Sequence, residues 1–363
     1  MKSRVAILAG SWGPNPVDRL TSTDELLGDL LRQVSRSFYL SLTILARPLR
    51  EPVGLAYLLA RAADTVADTR LVARPQRIDH LHTLRRAYAG QPADTGAVAR
   101  ACAPHQAHAA EQRLLERVDA VLAAVAALPE GDRERVRAVL TTITEGMLFD
   151  LARFPGEDAS GLAALETLDD LDRYTYLVAG CVGEFWTDLH LAHRPRLAGW
   201  DAAAMRATGV RFGKALQMTN VLRDVPSDLA HGRCYLPARE LAGLGLGPAD
   251  LLEPAGAARA RPLLHRLLGL ALDHYEAAWR YTLAIPRREW RMRLACTWPL
   301  LIGQATLEAL AAQRNPFASA PVKVARADVR AILAGSTLTV WSNRALASAG
   351  ARWRARIGRR LLA

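Results

Sequence analysis

Apolar residues recur along this chain every three to four positions. Leu26, Leu27, Leu30, Leu31 and Val34 form one stripe, and Leu114, Leu115, Val118, Val121, Leu122 and Val125 a second. Val136, Val139, Leu140, Ile143 and Met147 make a third. That spacing puts each set on one side of a helix with 3.6 residues per turn, ready to be buried against a neighbour. No segment alternates convincingly with the period of two that a half-buried strand needs. The pattern therefore predicts an all-α fold. Pro48, Pro129 and Pro237 punctuate the pattern and are expected to stop helices. Residues 91–110, rich in Ala, Pro and Gly, read as a loop or weakly ordered connector. Gly243, Gly245 and Gly247 follow a Pro-containing turn rather than a strand and lack the full GxGxxG spacing, so they read as a loop.

Composition narrows the class. Half of the 363 residues are apolar, ample for a sizeable core. With 25 Gly, 19 Pro and 4 Cys, disordered, collagen-like and disulfide-scaffold classes are excluded. Cys102, Cys181, Cys234 and Cys296 form no CxxC pair, which argues against a zinc or redox motif and fits a reduced compartment. His105 and His108 have no carboxylate or thiol cluster beside them. Residues 5–9 are too short for a signal-peptide core. Residues 294–307, the longest uncharged apolar stretch, contain Pro299 and fall short of the roughly 20 residues of a membrane span. A soluble or peripheral protein is expected, cytoplasmic or on the inner face of the membrane.

The formal net charge is +11, from 47 Lys+Arg against 36 Asp+Glu. Nearly all of the basic charge is arginine, because Lys2, Lys214 and Lys323 are the only lysines. Arginine binds phosphates and carboxylates with two parallel hydrogen bonds, so diphosphates, membrane surfaces and nucleic acids are candidate partners. A compositional bias towards Ala and Arg accounts for the same excess. The arginines are dispersed and no nucleic-acid reading motif is present, so no nucleic-acid partner is expected.

Two segments carry candidate chemistry. In residues 57–68, Asp64 and Asp68 are i,i+4 neighbours on a helix, about 6 Å apart along its axis, with Arg61 and Tyr57 on the same side. In residues 217–228, Asn220, Asp224 and Asp228 again share one face, with Gln217 beside them. Two helices each offering a carboxylate pair could hold several Mg²⁺ ions, which take one or two carboxylates and complete their shells with water and substrate phosphate oxygens. Arg61, Arg223 and Arg233 would complete a diphosphate clamp. Either pair alone is common on solvated helix faces; two pairs flanked by arginine and amide groups inside apolar helices are a stronger signal.

From about residue 31 to 330 the chain resembles the squalene and phytoene synthases, the head-to-head branch of the trans-isoprenyl diphosphate synthases. The resemblance rests on Ser35-Arg36-Ser37-Phe38, the segment from Tyr57 to Asp68, Tyr174 followed by Val178-Ala179-Gly180, the segment from Gln217 to Asp228, and Gly232-Arg233-Cys234-Tyr235-Leu236-Pro237. It implies one isoprenoid-synthase helical domain around a central cavity, farnesyl diphosphate as donor and acceptor, and Mg²⁺ (or Mn²⁺) on Asp64, Asp68, Asp224 and Asp228. Ser35, Ser37, Phe38, Arg61, Gln217, Asn220 and Arg233 are then the expected substrate contacts. Tyr174, Tyr57, Asp64 and Asp224 are the expected catalytic groups, with Tyr174 near the pyrophosphate and the departing proton.

Two features lean towards the squalene-synthase branch, in which NADPH reduces the second cation. One is the version of the first acidic motif; the other is the extension from Arg293 through Lys323. By analogy Arg36, Arg61, Arg223, Lys323 and Asn220 are the candidate contacts to NADPH. Phytoene or dehydrosqualene synthesis without reduction is the alternative, as is release of presqualene diphosphate or hydroxysqualene. A non-catalytic helical interaction protein is a third reading, opposed by the persistence of both acidic pairs and Arg61. Ala67 and Ser227 stand where the family often has a further acidic residue, which lowers the negative charge of the site. Pro226 removes a helix hydrogen bond between Asp224 and Asp228 and is expected to bend that helix.

The expected organisation is an N-terminal segment (1–23), a catalytic domain (24–335) and a basic tail (336–363). The tail carries Arg344, Arg352, Arg354, Arg356, Arg359 and Arg360 with Trp341, Leu346, Trp353, Ile357 and Leu361, and no acidic residue from 341 onward. It reads equally as an amphipathic helix on anionic lipid or as a disordered basic tail. The expected assembly is a monomer or weak homodimer.

Overall fold

A computed structural model of the chain describes residues 23–35, 38–313, 317 and 322–362. Nine helices of 13 residues or more are labelled here: α1 Arg47–Asp68, α2 Arg74–Tyr88, α3 Glu130–Arg153, α4 Cys181–His193, α5 Ala202–Ala230, α6 Arg261–Ala284, α7 Trp290–Ala311, α8 Arg326–Thr339 and α9 Asn343–Leu362. Shorter helices join them. Strand structure among the described residues is one parallel two-residue bridge, β1 Ala163–Ala164 with β2 Arg233–Cys234. The period-3.6 stripes thus fold as expected. Helix α5 is central: it packs against α4, α6 and α7, while α1 packs against α3 and α4 from the other side.

Local chemistry sets the ends of these elements. The Asp201 carboxylate caps α5, accepting from the Ala203 and Ala204 amides at 3.0 and 3.1 Å; such a cap satisfies N–H groups that the first turn leaves open. Thr167 and Asp170 form a reciprocal capping box on the helix Leu168–Thr175. The three prolines expected to stop helices start them instead. Pro48 lies in the first turn of α1, and Pro129 and Pro237 are the N-cap residues of α3 and of the short helix Ala238–Ala242. A missing N–H costs nothing where no intrahelical acceptor exists. Residues 91–110 are also more ordered than their composition suggests. Asp94 caps the helix Thr95–Cys102 through the Ala97 amide at 2.8 Å, and that helix buries Val98 and Cys102.

The boundary expected at residue 335 falls inside α8, and the C-terminal residues form the helix α9. Leu346 and Ile357 of α9 are buried in the core, with Trp353 and Leu361 packed against it. Arg354 pairs with Asp273 and Glu276, and Arg356 with Glu308. The apolar side of this helix therefore faces protein, not lipid. Arg293, fully buried on α7, holds the turn before α9 in place. Its guanidinium donates to the carbonyls of Val340 and Ile285 at 2.8 and 2.6 Å and to Asn343 Oδ1 at 2.7 Å. Helix α7 is long and apolar enough to cross a membrane, yet 72% of its apolar window is buried inside the molecule, as a core helix would be. All four cysteines are free and buried.

Two histidines are held neutral by burial. His190 is fully buried and donates from Nδ1 to the Trp186 carbonyl at 2.8 Å, and burial lowers its pKa to about 4. His274 accepts from Arg211 Nε at 3.2 Å, and burial beside Arg211 likewise lowers its pKa to about 4. The unfolded chain binds a proton at each site below about pH 6.5 that the fold refuses until about pH 4, so stability falls as pH drops through that window. The expected loss at its acid end is about 3 kcal/mol per histidine. Denaturant midpoints measured between pH 7 and pH 4.5 check this, and His190→Gln should flatten the profile.

Candidate active site

A cavity of about 520 Å³ opens among α1, α3, α4 and α5. One face of α1 sets its long axis. Val53, Tyr57, Ala60, Asp64 and Asp68 recur at helical spacing and all line it, so a single stripe changes from apolar to acidic over about 22 Å. Ile143 and Met147 of α3, Phe185 and Trp186 of α4, and Leu216 of α5 continue the apolar wall. Between the helix Leu168–Thr175 and α4 the chain makes one π-helical turn, Tyr176–Gly180. Its extra residue shifts the register, letting both Tyr174 and the Val178-Ala179 pair face the cavity.

The acidic end holds six carboxylates, of Asp64, Asp68, Glu111, Asp150, Asp224 and Asp228, and three guanidinium groups, of Arg61, Arg223 and Arg233. Arg61 pairs with Asp64 at 2.5 Å and also with Glu111. Arg233 stands between Asp150 and Asp68 at 3.2 and 3.7 Å. Arg223 grips both oxygens of Asp224, at 2.8 and 2.6 Å. The remaining negative charge is crowded. Burial, reinforced by Asp68, pushes the Asp64 carboxyl up to about 6. Its side chain keeps 43% of its surface open, in the cavity that it lines. Burial, then Asp224, pushes Asp228 up to about 8, with Asp150 and Asp68 adding to the rise.

The structure brings Tyr57, Arg61, Asp64, Asp68, Tyr174, Gln217, Asn220 and Arg233 to one cavity. Asp224 and Asp228 continue the same stripe of α5 beyond the lining residues, and α5 runs unbroken through Pro226. Ser35 is buried, and its hydroxyl donates to the Leu31 carbonyl at 2.5 Å, so its helix engages it rather than the cavity. Arg36 and Ser37 lie outside the described residues, as does the Phe38 side chain. Lys323 is exposed and lies apart from the cavity wall.

Three residues of the site were given no role by the sequence patterns, although Tyr235 lies within the motif from Gly232 to Pro237. Asp150 is nine-tenths buried and accepts from the Tyr235 hydroxyl. Tyr235 stacks on Tyr174 with ring centroids 4.7 Å apart. Glu111, on the helix Ala109–Glu116, fixes the far side of Arg61. A signal for Asp150 exists: it continues the core stripe Val139, Ile143, Met147, where a carboxylate is unexpected unless paired. A network therefore runs from Tyr174 through Tyr235, Asp150 and Arg233 to Asp68. Burial raises the Tyr174 phenol well above its usual pKa, so it stays protonated.

Among the described residues no group of three or more His, Cys, Asp or Glu side chains forms a ready metal cage. The donor set nevertheless fits Mg²⁺, because carboxylate pairs in excess over guanidinium groups suit a cation that takes most of its shell from water and substrate phosphate. The nicotinamide candidates fit less well. Arg61 and Arg223 are paired with carboxylates, as Arg233 is, and Lys323 is not among the residues that line the cavity.

Comparison with known proteins agrees with this architecture. A squalene synthase of Eremothecium gossypii is 28% identical over 280 residues, covering 77% of this chain and 60% of its own. A bifunctional lycopene cyclase/phytoene synthase of Gibberella fujikuroi is 30% identical over 261 residues, covering 69% of this chain and 41% of its own. The chain thus spans about half the length of these two relatives. The solved structure of TcSQS with the ligand BPH1237 superposes with a TM-score of 0.71 at 22% identity, over 95% of this chain and 96% of that one, a likeness of fold. The family model for squalene/phytoene synthase matches residues 31–328, from the helix preceding the cavity to the first turn of α8. With that match laid over the two acidic helices and their cavity, the chain belongs to the squalene/phytoene synthase family.

Proposed function

We propose that this chain is a prenyltransferase of the squalene-synthase type, which joins two farnesyl diphosphates head to head through the cyclopropylcarbinyl intermediate presqualene diphosphate. The observation that carries the reading is the polarity of the cavity: a water-excluding apolar wall ending in carboxylates and arginines. The diphosphate of the donor lies at that end, where Arg61 and Arg233 donate to its oxygens. Asp64, Asp68, Asp224 and Asp228 would hold Mg²⁺, which would supply positive charge to the leaving diphosphate. Breaking the allylic C–O bond leaves a carbocation among the aromatic side chains of the cavity wall, Tyr57, Phe185 and Trp186, whose π-clouds stabilise it. The neutral Tyr174 hydroxyl donates a hydrogen bond to the departing diphosphate, and the Asp150–Tyr235 contact orients the stack. The apolar wall of Ile143, Phe185 and Leu216 keeps water from capturing the cation. The 2,3-double bond of the second farnesyl group attacks, and the proton lost on ring closure passes to the released diphosphate.

The resemblance of sequence favours NADPH-dependent reduction to squalene as the outcome. The absence of Lys323 from the cavity lining supports a second reading, in which the same intermediate rearranges without hydride, to dehydrosqualene or, from a longer donor, to phytoene. Purified protein incubated with farnesyl diphosphate and Mg²⁺, with and without NADPH, separates them by mass spectrometry of hexane extracts and of phosphatase-treated aqueous phases. Squalene only with NADPH supports the first reading; dehydrosqualene or an intermediate regardless of NADPH supports the second. No turnover of farnesyl or geranylgeranyl diphosphate refutes both. Tyr235→Phe is expected to lower kcat by about tenfold or more, because it removes the hydroxyl that positions Asp150 and, through it, Arg233; steady-state kinetics check this.

A further inference from the structure

The base of the bundle, at the end of α1 remote from Asp64 and Asp68, presents a surface that the condensation does not use. Trp290 opens α7, Leu338 closes α8, and Trp341 lies in the turn before α9; they are 36%, 81% and 51% exposed. The two indole rings approach at 6.4 Å between centroids. Arg288 and Arg291 line one pocket with Trp290, and Arg287 precedes them; all three are exposed and none makes an ion pair among the described residues. About half of the exposed arginines among the described residues lack a carboxylate partner, so what sets this group apart is its place beside two exposed indoles rather than its lack of partners. The nearest acid, Glu289, is 5% exposed and already bound by Arg194 and Arg196. The Arg291 guanidinium instead lies 5.2 Å from the centroid of the Trp290 ring. The patch is also pre-formed. The buried Arg293 bonds to Val340 and Asn343, which ties the Trp341 turn to the first turn of α7.

Exposed tryptophans cost free energy in water but sit well at the headgroup level of a bilayer, with ring in the apolar boundary and N–H in the wet one. Unpaired arginines beside them add attraction to anionic headgroups, each a modest and salt-sensitive increment. We propose that this Trp290–Trp341 tip, with its arginine rim, docks the enzyme peripherally on an anionic lipid surface. The C-terminal helix has its apolar side buried in the core and offers lipid no apolar contact of its own. A second observation gives the placement a use, and it rests on the condensation reading. An apolar annex of about 170 Å³ shares Val178, Ala179, Val182, Trp186 and Leu216 with the main cavity and extends to Ala295, Cys296 and Pro299. Those residues lie within the first three turns of α7, towards the tip, so a hydrocarbon product would be released close to lipid.

Vesicle binding tests the proposal without turnover, so its failure is distinguishable from failure of the condensation reading. The full chain is sedimented with phosphatidylglycerol vesicles and with phosphatidylcholine vesicles, in low and high salt. Binding is expected to phosphatidylglycerol alone and to weaken with salt. The double variant Trp290→Ser/Trp341→Ser and the triple variant Arg287→Glu/Arg288→Glu/Arg291→Glu are each expected to lose about tenfold or more in partitioning, with melting temperature and vesicle-free farnesyl diphosphate turnover preserved. If one variant misfolds, the other still decides. Wild-type protein that stays in the supernatant, or folded variants that bind as wild type does, overturns the proposal. So does a wild-type dimer that the tryptophan variant converts to monomer, since a second copy would then cover the face.

Discussion

Asp64→Asn is expected to lower turnover of farnesyl diphosphate by about a thousandfold while leaving the melting temperature unchanged or higher. The loss follows from removing a charged ligand at the point where the leaving diphosphate develops negative charge. The thermal result follows from the direction of the Asp64 pKa. Its carboxyl is pushed up to about 6 by burial and by Asp68, so near pH 7 the ionised form is held at a cost that the unfolded chain does not bear. A neutral amide of the same shape removes that cost. Arg61 keeps Glu111 as its partner. Activity within tenfold of wild type would remove Asp64 from the proposed diphosphate site; a large fall in melting temperature would assign it a structural role.

Gly213→Ala is expected to be strongly destabilising where α5 crosses the π-helical turn before α4, and its sign opposes helix propensity. In a helix interior Ala is favoured over Gly by about 1 kcal/mol. Here an added Cβ would lie 2.1 Å from the Ala179 carbonyl oxygen and 2.6 Å from its carbon. Gly183 is as tightly placed, 1.9 Å from the Gly209 oxygen, so two helix backbones are in direct contact along this line. Backbone cannot swing aside as a flexible side chain does, and the helices must separate. A loss of about 3 kcal/mol or more is expected, together with a widened cavity wall at Ala179. Gly358→Ala in α9 is the control, because nothing lies within 4 Å of the added carbon; it should be neutral or slightly stabilising. Equal denaturant midpoints for the two variants would refute the argument.

The all-α class and the acidic face of α1 were legible in the sequence because both are periodic. A helix that must bury one stripe writes its face into residue spacing, and Asp64 and Asp68 simply continue the stripe of Val53, Tyr57 and Ala60. Asp150 was not legible as a site residue, since its meaning comes from Arg233 and Tyr235, more than eighty residues away. The prolines misled because their chemistry fits a first turn as well as a stop. Residues 91–110 misled because an Ala-, Pro- and Gly-rich composition hides a capped helix whose burial is decided by neighbours. The C-terminal arginines show the same limit. A basic amphipathic pattern is identical whether lipid or protein covers its apolar side, and only the presence of α6 and α7 decides between them.

The two-residue bridge between Ala163–Ala164 and Arg233–Cys234 also has a consequence during synthesis. It fixes Arg233, the cation that balances Asp68 and Asp150. The first acidic pair leaves the ribosome about 165 residues before that arginine, an interval of roughly 10–30 s at ordinary elongation rates. Throughout it Asp68 lacks this guanidinium, and for most of it the acidic face of α1 lacks the opposing wall of α5. A truncated product ending before Arg233 would therefore expose a sticky, charge-frustrated helix and no working site. Premature termination in this chain should yield material for proteases, not a slow or promiscuous enzyme.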